Sequence, residues 1–171
     1  GGLKFHTNGF TVGISQSLAG EGGLQKLGTG TLTVEGANTY TGATTVSEGT
    51  LLVTGSLEGS TWLSVATGAT LEIASNFSLN DEIVLALVTG SNVVLSFTGT
   101  ETIGALSING EYLEIGEYSL AELQAIAPEI FSGNSNAMLN ITSAVPEPGV
   151  AMLFGLGAAV LVFTRRHRRS A

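Results

Sequence analysis

From Leu24 to Asn76 the chain repeats itself with a period near twenty residues, and a period of that length restricts the fold more than any other feature of the sequence. Gly28-Thr29-Gly30-Thr31-Leu32-Thr33-Val34 is answered by Glu48-Gly49-Thr50-Leu51-Leu52-Val53, and then by Gly68-Ala69-Thr70-Leu71-Glu72-Ile73. The leucines at 32, 51 and 71 are spaced by 19 and 20 positions. In each unit a Gly-led turn precedes an apolar pair, Leu32/Val34, Leu51/Val53 or Leu71/Ile73, which a strand places on one face. A weaker strand falls between these at Thr44-Thr45-Val46 and Leu63-Ser64-Val65. A unit so short cannot bury its own apolar face, whereas stacking units as coils encloses a continuous core. The expected fold is all-β: a right-handed parallel β-helix, or β-solenoid, whose hydrogen bonds run from coil to coil and whose stability grows with coil number.

The β-helix region is expected to occupy 1–143, with its clearest repeats at 23–76. Composition agrees, because 24 glycines, 3 prolines and only 12% charged residues suit short strands joined by tight turns. Without cysteine, neither a disulfide framework nor a Cys-ligated metal site can form. Beyond Asn76 the period loosens, but strand character continues at 83–88, 93–97, 106–108 and 112–115. Residues 119–127 interrupt it: Ser119-Leu120-Ala121-Glu122 is a capping box, Leu120, Leu123 and Ala127 share a helical face, and Pro128 ends the helix. This short helix is expected to cover a coil edge or corner. A last strand, Met138-Leu139-Asn140-Ile141-Thr142, is expected to close the array.

The C-terminus is a different object. Ala144 to Gly149 holds two prolines and should form an extended linker, since each residue before a proline is pushed out of the helical region. Gly149 to Phe163 is fifteen residues without a charge, and Arg165, Arg166, Arg168 and Arg169 crowd the end. With Thr164 and snorkelling arginines this stretch nears the minimum for a span, so 150–171 is expected to be a single transmembrane helix with an Arg-rich cytoplasmic tail. The positive-inside tendency makes the four arginines the membrane stop signal and leaves the β body outside. All 14 acids lie at or before Glu147, where Lys4 and Lys26 are the only Lys or Arg residues, so the body repels phosphate backbones and nucleic acid is excluded as a partner. Nothing near Gly1 combines a basic segment, an apolar core and a small-residue cleavage site, so an export signal is expected upstream.

Two stretches carry a family resemblance. Gly23-Leu24-Gln25-Lys26-Leu27-Gly28-Thr29-Gly30-Thr31-Leu32-Thr33-Val34-Glu35-Gly36-Ala37-Asn38-Thr39-Tyr40-Thr41-Gly42-Ala43-Thr44-Thr45-Val46 resembles the autotransporter-associated β-strand repeat, whose members are secreted or surface-displayed β-helices. Val145-Pro146-Glu147-Pro148, the apolar run and the terminal arginines together resemble the PEP-CTERM sorting signal of bacteria that make exopolysaccharide. That resemblance implies an inner-membrane, single-pass precursor cut near the Pro-Glu-Pro motif by an exosortase-like protease. The body would then reach the cell surface or extracellular matrix, where extracellular polysaccharide becomes a partner. Proteins with this repeat usually end in an outer-membrane β-barrel, and here the sorting tail is expected to replace that route.

The chain offers little material for chemistry. His6 and His167 are the only histidines and Asp81 is the lone aspartate, so a Ser-His-Asp arrangement has no basis. Asp81 and Glu82 are adjacent and would point to opposite faces of a strand, while Glu111, Glu114 and Glu117 would not share one face; solvated acids explain both sets better than glycosidase carboxylates do. Gly22-Gly23-Leu24-Gln25 departs from the calcium-binding Gly-rich repeat, and the glycines elsewhere read as turns rather than phosphate loops. Trp62, Tyr40, Tyr112 and Tyr118 could stack on sugars, but scattered aromatics suit packing better. Asn76-Phe77-Ser78 and Asn140-Ile141-Thr142 match the glycosylation acceptor pattern, a three-residue match of little weight. No catalytic residue, metal or cofactor is therefore expected. The leading reading is a structural surface or matrix protein, adhesion included; the alternative is the stalk of a carbohydrate-active enzyme whose catalytic part lies upstream.

Overall fold

Thr-Leu-Thr-Val and its variants make strands because branched residues fit the pleat and alternation sends leucine and valine to one side and threonine to the other. The computed structural model describes residues 1–143 and winds these strands into a β-solenoid of about five turns. The first turn holds β1 (Leu3–His6) and β2 (Thr11–Ile14). The second holds β3 (Leu24–Leu27), β4 (Thr31–Val34) and β5 (Ala37–Asn38). The third holds β6 (Thr44–Val46), β7 (Thr50–Val53) and β8 (Ser56–Leu57), and the fourth β9 (Trp62–Val65) and β10 (Thr70–Ile73). The fifth holds β11 (Val84–Leu87), β12 (Asn92–Leu95) and β13 (Gly99–Ile103). A cap follows, made of β14 (Ala105–Ile108), β15 (Glu111–Tyr112), β16 (Gly116–Ser119), α1 (Leu120–Ile126), β17 (Phe131–Gly133) and β18 (Ala137–Ile141).

Two long walls run the length of the stack. One orders β1-β3-β6-β9-β11-β14, all parallel, with antiparallel β15 at its edge; the other orders β2-β4-β7-β10-β12-β17, parallel throughout. Register places like on like: Leu32, Leu51, Leu71 and Val93 form one column, and Val34, Val53, Ile73 and Leu95 form a second. Every member of both columns is buried. The repeated apolar pairs thus line the interior as the spacing predicts, each side chain contributing about 1.5–3 kcal/mol as an upper figure. A third side is thinner: β5 pairs with β8, a single bridge joins Leu57 to Leu79, and β13 pairs with β18. The first turn is paired on one side only, and Leu3, Phe10 and Val12 are exposed there.

Close stacking at the corners requires glycine. Gly30 and Gly49 both adopt positive φ, and a Cβ on Gly30 would overlap the Phe10 carbonyl just as one on Gly49 would overlap the Gly30 carbonyl.

The cap departs from pure coil stacking. Asn109 and Gly110 both have positive φ, the requirement of the tight hairpin turn that Asn-Gly favours, so β15 folds back antiparallel on β14. The strand expected over 112–115 is therefore only the short β15, with Tyr112 and Ile115 exposed. The helix forms where its capping box predicts: Ser119 accepts from the Glu122 amide, Glu122 returns the bond to the Ser119 amide, and Leu120 and Leu123 are buried. β18 closes the array between parallel β13 and antiparallel β16, so the last winding is sealed by a mixed sheet instead of another coil. Among the described residues no helix is long and apolar enough to cross a membrane. The expected linker at 144–149 and the expected transmembrane helix at 150–171 lie outside the described residues.

Candidate functional site

Inside the stack, polar side chains stand at a few positions that alternation reserves for the core. Lys26 aligns with Val46 of the next turn and is fully buried. Its Nζ donates to the carbonyls of Leu27 at 3.0 Å, Gly28 at 2.5 Å and Glu48 at 3.0 Å. Burial lowers its pKa, and the nearby Glu48 charge opposes that shift. Asn38 accepts from the Leu18 amide at 2.9 Å and donates to the Gly36 and Ser56 carbonyls at 2.8 and 2.9 Å. The Tyr40 hydroxyl bonds Thr44 at 2.6 Å, and Thr44 bonds Ser60 at 3.0 Å. Burial pushes the Tyr40 phenol up to about 12.

Glu101, in β13, is the one fully buried carboxylate among the described residues. One of its oxygens accepts from the Phe77 and Ser78 amides, the latter at 3.3 Å, and the other accepts from Leu79 at 2.5 Å. Burial raises its pKa, the three amide bonds lower it, and Asp81 raises it further. Phe77 itself has a positive φ and is exposed. Asn38 and Glu101 do the same work at the two ends of the thin third side. Each carries acceptor oxygens from one turn to backbone amides of the turn before, where β5, β8 and Leu79 do so with main chain in between.

No buried side-chain nitrogen or oxygen among the described residues lacks a hydrogen-bond partner, so these groups are consumed in holding coils together. Glu101 and Asn38 escaped sequence reading, although a charge or amide at an inward position between Gly99 and Ile103 or beside Ala37 was the available signal. The residues singled out for chemistry do not converge. His6 is exposed in β1, Asp81 and Glu82 are exposed in a turn and not in the strand expected of them, and Glu111, Glu114 and Glu117 are exposed around the cap. Tyr40 is buried, Trp62 and Tyr118 are half-buried, and Tyr112 is exposed beside Ile126 in a shallow groove. Among the described residues no three His, Asp or Glu side chains gather as metal ligands would.

The strongest constraint on function is where the body stops. Thr142 donates backbone and hydroxyl bonds to the Ile103 carbonyl, both at 3.1 Å, and the Ser143 amide donates to Gly104 at 2.6 Å. Val145, Pro146, Glu147, Pro148, Arg165, Arg166, Arg168 and Arg169 all follow that point and lie outside the described residues. No curated protein and no solved structure matches the chain. Two family descriptions do match. Residues 24–53 fit the passenger-associated-transport repeat, and residues 144–169 fit the PEP-CTERM protein-sorting motif. The first covers the second and third turns of the solenoid, and the second starts at the residue after Ser143. The sorting motif implies processing by exosortase, a membrane protease, with export and association with the cell envelope. The chain thus carries the passenger-associated-transport repeat in its coiled body and the PEP-CTERM protein-sorting motif directly after it.

Proposed function

We propose that this chain is an exported structural protein of the bacterial envelope or its surrounding matrix, a stiff β rod with no catalysis of its own. The observation that carries the reading is the abutment of two parts: the last hydrogen bond of the solenoid is made by Ser143, and the sorting motif begins at residue 144. A coiled body whose polar interior is spent on coil-to-coil bonds suits a load-bearing or displaying role. Its windings are right-handed, the sense that parallel crossovers adopt almost without exception.

In this reading 150–171 spans the inner membrane with Arg165, Arg166, Arg168 and Arg169 in the cytoplasm, and the body lies outside. Val145-Pro146-Glu147-Pro148 is the processing motif, recognised by an exosortase-like protease that frees the body for the surface or matrix. Extracellular polysaccharide is the partner this placement favours, adhesion being one form of that contact. Mass spectrometry of the exported protein tests the scheme: a new C-terminus near Pro146 supports it, and a chain that retains Arg169 at the surface overturns processing in favour of a permanent anchor.

A further inference from the structure

We propose that the folded cap, and not the recognition motif alone, sets the inner boundary of processing: the protease must work in the few residues between β18 and the apolar run, and body residues up to Ser143 are closed to it. This rests on the processing reading above and adds a determinant to it. β18 is bonded on both edges, to β13 and to β16, and Ala137, Leu139 and Ile141 are fully buried. Its ladder continues one step past the strand, through Thr142 to Ile103 and Ser143 to Gly104. Gly104 is itself pinned: its amide bonds Ile83 at 3.0 Å, and a Cβ there would meet the Glu82 carbonyl at 2.6 Å.

A protease needs exposed backbone free of ladder bonds, so cleavage inside 137–143 would require the cap to open first. The ladder also has a chemical stop. Pro146 and Pro148 have no N–H to donate, so strand pairing cannot run on into the motif. Five residues separate Ser143 from Pro148, a reach of roughly 17 Å at full extension, so an enzyme seated on the motif stands against the cap. Hydrolysis of one peptide bond in this interval consumes one water and leaves a carboxylate on the body and an amine on the tail.

The test uses the full chain, expressed in a host that supplies the exosortase-type protease, and follows products by mass spectrometry, counting only bodies ending at 145–149. Removing Ser143 and Ala144 keeps the motif intact and draws it onto β18; cleavage should slow about tenfold or more, as it does when a bond is reached only through a minor open state. Replacing the two residues instead, as Ser143→Gly with Ala144→Gly, should leave the rate unchanged. Adding Leu139→Asp to the shortened chain opens the cap and should restore cleavage; where that variant is degraded, two glycines put back after Thr142 should restore it instead. A shortened chain cut at the rate of the unaltered one overturns the proposal, and so does one that neither change rescues. If the unaltered chain is never cut, it is the processing reading that fails.

Discussion

The coils between Leu24 and Ile73 and the cap from Ala105 to Ile141 are built from the same residue types, yet they are held by different means. In the coils, two buried columns and parallel ladders repeat the same contact at each turn. In the cap each contact occurs once: an Asn109-Gly110 hairpin, a boxed helix start at Ser119, and a mixed sheet around β18. Repetition shares the load among equivalent neighbours, so the coils should respond to damage as one body, whereas the cap can open by itself. Glu101 sits on the border, in the last strand of the stack, reaching back to 77–79 while its neighbours pair with β18.

The largest test of this difference is a matched truncation. Leu51→Ala should cost about 2–5 kcal/mol, read as a shift of the main urea transition. Leu123→Ala makes the same chemical change in the cap, and there hydrogen exchange should quicken beyond Gly104 while amides at 31–73 stay protected. Equal loss of protection in both regions would abolish the distinction.

Glu101→Ala should loosen the join itself. It strands the Phe77, Ser78 and Leu79 amides, each orphaned buried donor costing about 1–3 kcal/mol before the turn relaxes. Exchange at 77–79 and in β18 should rise together. The same side chain gives the join a pH dependence. Burial holds its carboxyl above the usual carboxylate range, so the folded protein binds this proton more tightly than the unfolded chain does. Its contribution to stability is complete below the ordinary carboxylate value and is lost as pH rises through the raised one. Glu101→Gln should remove that slope from the urea midpoint measured against pH, and an unchanged slope would assign it to other acids.

The smallest effect belongs to the helix. Ser119→Ala should cost about 1 kcal/mol, confined to α1 and its contacts with β17, because only the cap's own first turn loses its partner. A shift of the main transition by that variant would show that cap and coils melt together.

The same contrast explains what could be read in advance. The coils were legible because Leu32, Leu51 and Leu71 recur at nearly constant spacing, and a column needs nothing else to declare itself. The helix was legible from Ser119, Glu122 and Pro128, all local signals. The reversal of β15 and the pairing of β16 with β18 were not, since strand direction follows from a single Asn-Gly turn and from long-range pairing that alternation does not encode. Lys26, Asn38 and Glu101 stayed hidden for a related reason: composition counts them as surface groups, and only their phase within a strand assigns them to the interior. The processing motif was legible as a pattern of residue types, while its distance from folded structure emerged only with the bonds of Thr142 and Ser143.

One consequence of the Phe10, Gly30 and Gly49 corner concerns how such a rod can lengthen. Because the backbone of one turn lies directly on that of the next, a newcomer lacking glycine at that point cannot seat, whatever apolar residues it brings. Growth by copying a whole unit, bend included, meets this demand automatically; growth by splicing in foreign sequence almost never would.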